Sequence, residues 1–120
     1  MILAIDFDGT ITKNGGIDKP LVLRDDAKEV INKLNDEGHY IIIWTCRTEV
    51  NLRAQMDIFL EWNKINYHSI NVNHPKLKFK PYPKIYADVY IDDKNLGGFP
   101  GWNKVEELLK DVKSEDYLEK

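Results

Sequence analysis

Apolar runs of strand length alternate along the chain with segments whose apolar positions repeat at helical spacing. Four such runs predict strands, at residues 2–7, 40–44, 70–72 and 87–91. Three segments predict amphipathic helices, with apolar stripes at Ala27, Val30, Ile31 and Leu34, at Leu52, Met56, Phe59 and Leu60, and at Trp102, Val105, Leu108, Leu109 and Val112. This alternation predicts an α/β layered fold with a central parallel sheet of about four to five strands.

Local signals mark where the helices begin and end. Asp26 followed by Glu29 predicts a capping box at the start of the first helix, and Gly38 predicts its end. Thr48 is the expected N-cap of the second helix. The stretch 74–84 holds three prolines and four lysines, so it is expected to be a loop.

Size and charge narrow the class of protein. The chain has 120 residues, a formal net charge of −3 and one cysteine. It is expected to form a single domain over residues 1–120, with 113–120 as a frayed tail. One cysteine excludes an internal disulfide framework and a cysteine-rich zinc site. We expect a soluble cytoplasmic protein, because no apolar stretch resembles a signal peptide or a membrane span. The charge gives no general basic footprint for a nucleic acid or an anionic membrane.

Polar residues stand where the predicted strands end. Asp6, Asp8, Gly9 and Thr10 stand at the end of the first strand, Thr45, Cys46 and Arg47 follow the second, Lys84 precedes the fourth, and Asp92 and Asp93 follow it. In parallel α/β sheets such positions meet at one edge, where ligands bind. Four carboxylates at one edge repel one another unless a cation neutralises them. A set of oxygen donors without His or Cys suits Mg²⁺.

A metal beside carboxylates can serve phosphoryl transfer, because it offsets the charge on phosphate oxygens. Asp6 and Asp8 are two residues apart, so both side chains lean to one side of an extended chain. One carboxylate could attack phosphorus, and the other could protonate the leaving oxygen and then activate water.

Three motifs in order resemble the haloacid dehalogenase superfamily of phosphohydrolases. The run Asp6-Phe-Asp8-Gly-Thr10 after an apolar strand resembles its first motif. The run Ile-Ile-Ile-Trp-Thr45 resembles the second, and Val-Tyr-Ile-Asp92-Asp93 resembles the fourth. The resemblance spans about residues 2–110 and implies a three-layer, Rossmann-like fold and a Mg²⁺-dependent phosphatase.

The resemblance also implies roles for individual residues. Asp6 would be the nucleophile that carries the phosphoryl group, and Asp8 the general acid and base, with its main-chain carbonyl on the metal. Thr45 would bind the phosphoryl group, Asp92 would ligate Mg²⁺ directly, and Asp93 would be the second acidic ligand.

Other site residues are less tightly specified. The catalytic lysine is assigned to Lys84, with Lys80, Lys78 and Lys76 as the alternatives in the same loop. Gly9, Thr10 and Arg47 are expected to line the phosphate site with Thr45, although Arg47 could equally be a surface charge at the start of a helix. Cys46 is expected to be a buried structural thiol.

Two other classes of protein share part of this pattern. A phospho-accepting receiver domain also uses Asp, Mg²⁺, Thr and Lys, but its acceptor Asp follows the third strand, where this chain has Ile70-Asn-Val-Asn73. A catalytically silent binding protein of the haloacid dehalogenase fold is the other alternative, and the complete acid set disfavours it.

The chain leaves no room for a cap domain, which in this superfamily commonly sets specificity. Sugar phosphates, nucleotides and macromolecular phosphates all stay open as substrates, and a nucleic acid is expected only as a phosphorylated end. No membrane partner is expected, and homo-oligomerisation stays open.

Overall fold

The computed structural model describes residues 1–120 as one α/β unit. In chain order the elements are β1 Ile2–Ile5, α1 Ala27–Asp36, β2 Tyr40–Ile43, α2 Val50–Trp62, β3 Ser69–Ile70, β4 Val89–Ile91 and α3 Trp102–Leu109. The strands form one sheet in the order β3-β2-β1-β4, and every neighbouring pair is parallel. This confirms the predicted α/β class, the parallel sheet and the absence of a cap. No helix is long and apolar enough to cross a membrane.

The central strand β1 is buried on both faces, which explains its unbroken apolar run. Leu3 and Ile5 point to one side of the sheet, and Ile2 and Ala4 point to the other. All four residues are 4% exposed or less. The two faces therefore form two separate apolar clusters.

All three helices pack on one face of the sheet. Their predicted stripes supply buried residues there, including Ile31 of α1, Met56 of α2 and Trp102 of α3. Leu108 of α3, also predicted in a stripe, is instead 53% exposed. The connections β1-α1-β2 and β2-α2-β3 advance in the same direction across the sheet. Right-handed crossovers then place α1 and α2 on the same side.

The opposite face is covered by irregular chain. The connection from β3 to β4 runs back across the sheet, so the same handedness rule puts it on this second face. Leu77, Ile85 and Ala87 from that connection pack on β1 and β2 together with Leu118 from the tail. Three prolines in residues 74–84 keep the segment from forming a helix. The third layer of the fold is therefore a loop.

The tail from residue 113 was predicted to fray, and the structure instead docks it along this loop. The amide of Lys78 donates to the carbonyl of Tyr117 at 2.8 Å, and the amide of Glu119 donates to the carbonyl of Lys76 at 2.7 Å. The ring of Tyr117 packs edge-on against Phe79 and Tyr86. Apolar contact and backbone pairing explain why the segment is ordered despite its polar composition.

Helix termini differ from the sequence predictions. Asp26 lies in the left-handed region at φ 66°, and its side chain makes no capping bond, so the predicted capping box is wrong. At α2 the cap is Glu49, whose carboxylate accepts from the amides of Asn51 and Leu52, and the prediction of Thr48 is wrong by one residue. Gly38 follows α1 at φ 94°, as its predicted role at the helix end requires.

Candidate metal centre

The acidic residues lie where β1 and β4 end side by side. Ile5 pairs with Ile91 as the last step of this ladder, so Asp6 and Asp92 are the next residues on adjacent strands. The amide of Asp6 donates to the carbonyl of Ile91 at 2.9 Å. The chain leaves β1 toward β2 and β3 and returns to β4 on the other side. Such a reversal of strand order opens a crevice at the carboxyl edge, where α/β proteins bind ligands.

Three of the four predicted carboxylates meet at this edge. One oxygen from each of Asp6, Asp92 and Asp93 lies within 4.8 Å of the others, and all three residues are half-buried. The group offers only carboxylate oxygens, the donors that Mg²⁺ and other hard divalent cations take. The donor set therefore fits a divalent cation.

The electrostatics of Asp6 support the same conclusion. The pKa of Asp6 is raised from 3.8 to about 8, chiefly by burial, and the negative charge of Asp92 and a hydrogen bond with Asp93 contribute in the same direction. No positive side chain contributes to this shift. A carboxyl group surrounded by acids gains its charge at neutral pH when a cation is bound beside it.

The hydroxyl of Thr10 ties the two strand ends together. Its Oγ1 lies 3.1 Å from Oδ2 of Asp6 and 3.3 Å from Oδ1 of Asp93, and it accepts the amide of Asp93 at 2.9 Å. Thr10 is fully buried. The hydroxyl of Thr10 is thus already hydrogen-bonded within the acid cluster. Its direct contact with substrate stays a prediction.

Gly9 lets the loop after β1 approach the cluster. Its φ is 83°, and a Cβ at this position would lie 2.8 Å from Cγ of Asp93. Its amide donates to Oγ1 of Thr12 at 3.1 Å, so that donor is also occupied inside the protein. The role of Gly9 seen here is to allow close packing, and its predicted contact with a phosphate stays untested.

Two further side chains brace this loop from outside. Arg24 donates two hydrogen bonds, at 3.1 and 2.9 Å, to the carbonyl of Gly9. The indole nitrogen of Trp102 donates to the carbonyl of Thr10 at 2.8 Å. Sequence reasoning missed both, because no motif links them to residues that lie 15 and 92 positions away.

Asp8, the fourth predicted carboxylate, is paired with Arg47. Nε and Nη2 of Arg47 donate to the two carboxylate oxygens of Asp8 at 2.9 and 2.8 Å. The side chain of Asp8 is 11% exposed, and that of Arg47 is fully buried. The carboxylate of Asp8 therefore stands outside the group of three acids, and its main-chain carbonyl as a metal ligand stays a prediction.

The exposures of Cys46 and Arg47 are the reverse of those expected. Cys46 is exposed, so the prediction of a buried thiol is wrong. Arg47 is buried, which excludes the surface-charge alternative. The chain turns just after β2, and at this turn the side chain of Arg47 lies inside the protein. Its guanidinium can be buried because it donates hydrogen bonds to several protein groups.

Thr45 closes the carboxyl end of β2. Its hydroxyl oxygen accepts the amide of Arg47 at 3.1 Å, which leaves the hydroxyl proton available to another acceptor. The side-chain amide of Asn71 accepts from the amide of Thr45 and donates to its carbonyl, both at 2.9 Å. Asn71 holds the main chain of Thr45 in place, a role that no motif in the sequence predicts.

The side chain of Lys84 lies over the ring of Tyr90. Its Nζ lies 5.1 Å from the centre of the Tyr90 ring, and no ion pair joins it to an acid. Lys76, Lys78 and Lys80 are also exposed and form no ion pair. The assignment of Lys84 as the catalytic lysine stays a prediction.

Together the fold and the site define a parallel α/β protein with an acidic, oxygen-only cluster at a switch point of the sheet. A solved structure of a conserved protein from Bacteroides thetaiotaomicron matches it with a TM-score of 0.81 and 30% sequence identity. The match covers 95% of this chain and 93% of that one, so the chain belongs to the same family as that conserved protein. No protein-family model and no curated protein sequence matched the chain.

Proposed function

We propose that this protein is a Mg²⁺-dependent phosphatase of the haloacid dehalogenase type, which hydrolyses a phosphate monoester through an aspartyl-phosphate on Asp6. The observation that carries the proposal is the meeting of Asp6, Asp92 and Asp93 at the carboxyl edge of the sheet. The hydroxyl of Thr45 stands at the end of the neighbouring strand. A nucleophile, a cation site and a phosphate-binding hydroxyl thus follow three adjacent strands.

The proposed reaction has two steps. In the first, a carboxylate oxygen of Asp6 forms a bond to phosphorus, the ester P–O bond breaks, and Asp8 gives a proton to the leaving oxygen. In the second, the oxygen of a water molecule forms a bond to phosphorus while that water gives a proton to Asp8. The bond between phosphorus and the Asp6 oxygen breaks, which releases inorganic phosphate and restores Asp6. The hydroxyl of Thr45 donates to a phosphoryl oxygen in both steps.

Asp6, Asp92 and the main-chain carbonyl of Asp8 are the groups that would hold the cation, with Asp93 as the second acidic ligand. When bound, Mg²⁺ supplies positive charge that offsets the carboxylates and the phosphoryl oxygens. Asp6 then reacts as a carboxylate, even though its pKa without a cation is about 8.

The proposal assigns to Lys84 the positive charge that steadies the phosphoryl group. Lys84→Met is expected to lower kcat about 100-fold, because one charged donor to a transferring group contributes on this scale. Lys80→Met is the matched control from the same loop and should retain wild-type kcat. The reverse result would move the assignment to Lys80.

In this proposal, the openness of the site determines which classes of substrate can bind. No folded cap covers the carboxyl edge, so the site is expected to admit sugar phosphates, nucleotides and phosphorylated ends of macromolecules alike. Activity across a panel of phosphorylated metabolites, with and without Mg²⁺, would rank these classes.

The decisive experiment compares Asp6→Asn with wild type in the hydrolysis of an aryl phosphate. We expect at least a 1000-fold loss of kcat, since the nucleophile is removed. Asp18→Asn, in the exposed part of the loop after β1, is the matched control and should be fully active. Retained activity in Asp6→Asn would exclude the assigned nucleophile.

Two other outcomes identify the other classes of protein. A receiver domain would form a long-lived acyl phosphate from acetyl phosphate and turn over no ester. A silent binding protein would do neither while still binding a divalent cation.

A further inference from the structure

The guanidinium of Arg47 has no hydrogen-bond donor left over for a substrate. A guanidinium has five N–H donors, and the five hydrogen bonds of this one all go to protein atoms. Besides its two bonds to Asp8, Nη1 donates to the carbonyl of Leu52 at 3.2 Å and to Oε1 of Gln55 at 3.3 Å, and Nη2 donates to the carbonyl of Ile17 at 3.2 Å.

These partners belong to two separate parts of the chain. Asp8 and Ile17 lie in the loop after β1, while Leu52 and Gln55 lie in the first turns of α2. The guanidinium also lies 5.4 Å from the centre of the Phe7 ring. Arg47 is therefore held from several sides, and its orientation fixes that of the Asp8 carboxylate.

The Arg47–Asp8 pair also affects the negative charge near the acid cluster. A carboxylate left unpaired near Asp6, Asp92 and Asp93 would add a fourth negative charge to that region. The guanidinium offsets the charge of Asp8 by donating to both of its carboxylate oxygens. Three acids, and not four, then set the local negative charge.

From these contacts we infer that Arg47 is a positioning residue that acts through Asp8: it holds the acid–base carboxylate in a fixed place beside the cation site and does not touch the substrate. The inference rests on the proposed function for the role of Asp8. It corrects the expectation that Arg47 contacts a substrate phosphate.

A double-mutant cycle tests the inference with Arg47→Met, Asp8→Asn and the double variant. Asp8→Asn should lower kcat about 100-fold, the usual contribution of a general acid, and Arg47→Met about tenfold, with KM unchanged in both. The double variant should match Asp8→Asn within about twofold, because Arg47 has no effect once Asp8 is gone. Losses that multiply, or a raised KM in Arg47→Met, would overturn the inference.

Mg²⁺ binding measured by calorimetry gives a readout that is independent of turnover. Arg47→Met leaves an unpaired negative charge and should tighten Mg²⁺ binding about fivefold, whereas Asp8→Asn leaves an unpaired positive charge and should weaken it by a similar factor. The double variant should return close to wild-type affinity. Unchanged affinity in Arg47→Met would overturn the inference.

The two measurements also separate this inference from the proposed function. A wild-type protein that binds Mg²⁺ but hydrolyses no ester would overturn the phosphatase, and the Mg²⁺ series would then decide the role of Arg47. A wild-type protein that binds no divalent cation would overturn both.

Arg47→Lys covers the case in which Arg47→Met does not fold, because it keeps the charge but loses the paired geometry. It should lower kcat in the wild type and not in the Asp8→Asn background. Arg53→Met breaks the Arg53–Asp57 pair on the surface of α2 and is the matched control for loss of an arginine–aspartate pair. It should leave both kcat and Mg²⁺ affinity unchanged.

Discussion

Position 9 requires glycine for two separate reasons. The backbone there is left-handed, with φ at 83°, and a Cβ would press on the carboxylate of Asp93. Gly97 has a similar φ of 90° but open space around it. The two glycines therefore separate the cost of backbone strain from the cost of a steric clash.

Gly97→Ala is expected to lower the free energy of unfolding by about 1 kcal/mol, the cost of a left-handed residue with a side chain. Gly9→Ala should cost about 3 kcal/mol, because Asp93 must also move. It should in addition weaken Mg²⁺ binding, whereas Gly97→Ala should not. Urea unfolding and calorimetric titration measure the two effects, and equal costs at the two sites would contradict the clash.

The raised pKa of Asp6 makes metal-free stability depend on pH. In the unfolded chain this carboxyl group titrates near 3.8 and in the folded protein near 8, so the folded state holds the proton more strongly between these values. The stability contributed by this group is fully present below about pH 4 and is lost as the pH rises through about 8. Asp6→Asn has no proton to lose.

We therefore expect Asp6→Asn to gain stability relative to wild type as the pH rises from about 4 to about 8, with no further gain above that. Urea unfolding in the presence of a chelator measures the difference, and Asp18→Asn serves as the control. Parallel stability curves for wild type and Asp6→Asn would contradict the raised pKa. Millimolar Mg²⁺ should stabilise the wild type and leave Asp6→Asn nearly unchanged.

At the scale of the elements, the N-terminal end of α2 contacts the candidate site through Arg47. Its cap is the carboxylate of Glu49, which accepts the amides of Asn51 and Leu52 at 3.0 and 3.1 Å. The carbonyl of Leu52 in the same turn accepts from Arg47. The first turn of α2 is thus held at both its amide and its carbonyl groups.

Glu49→Ala is expected to lower the free energy of unfolding by about 1 kcal/mol, the usual cost of losing an N-cap. Thr48→Ala, one residue earlier, removes an exposed side chain that caps nothing and should be close to neutral. Thermal unfolding of both variants distinguishes them. A larger loss in Thr48→Ala would restore the cap predicted from sequence.

For the molecule as a whole, the loop between β3 and β4 and the docked tail act as one layer. The ring centre of Tyr117 lies 5.3 Å from that of Phe79 and 5.5 Å from that of Tyr86. Asp88, just before β4, accepts the amides of both Ile2 and Glu115, so this layer meets the sheet at its amino end. The acid cluster lies at the other end.

Tyr117→Ala should therefore lower the free energy of unfolding by about 1–2 kcal/mol without changing Mg²⁺ affinity. Tyr82→Ala is the matched control, since that residue is 93% exposed and its side chain should contribute almost nothing. Chemical unfolding and metal titration of the two variants check both statements. A loss of Mg²⁺ affinity in Tyr117→Ala would show that the two ends of the sheet are coupled.

The features that could be predicted from the sequence are those that depend on residues close together in the chain. The strands appear as short apolar runs, and Asp6, Asp92 and Asp93 stand directly after two of them, so the sheet and the acid cluster could be predicted. Contacts between distant segments could not be predicted in this way. Asn71 reaches Thr45 across 26 residues, and the pairing of Arg47 with Asp8 depends on which side of a turn faces inward.

The position of β1 between β2 and β4 has a consequence for the growing polypeptide during synthesis. Thr10 meets Asp93 across 83 residues of chain, so the strand that carries the first acid is made long before its partners. Until β4 arrives, one edge of β1 is open and Asp6 has no neighbouring acids. A nascent chain can therefore assemble the three-acid cluster only after β4 has been made, and it can complete the helical face only after α3 has followed.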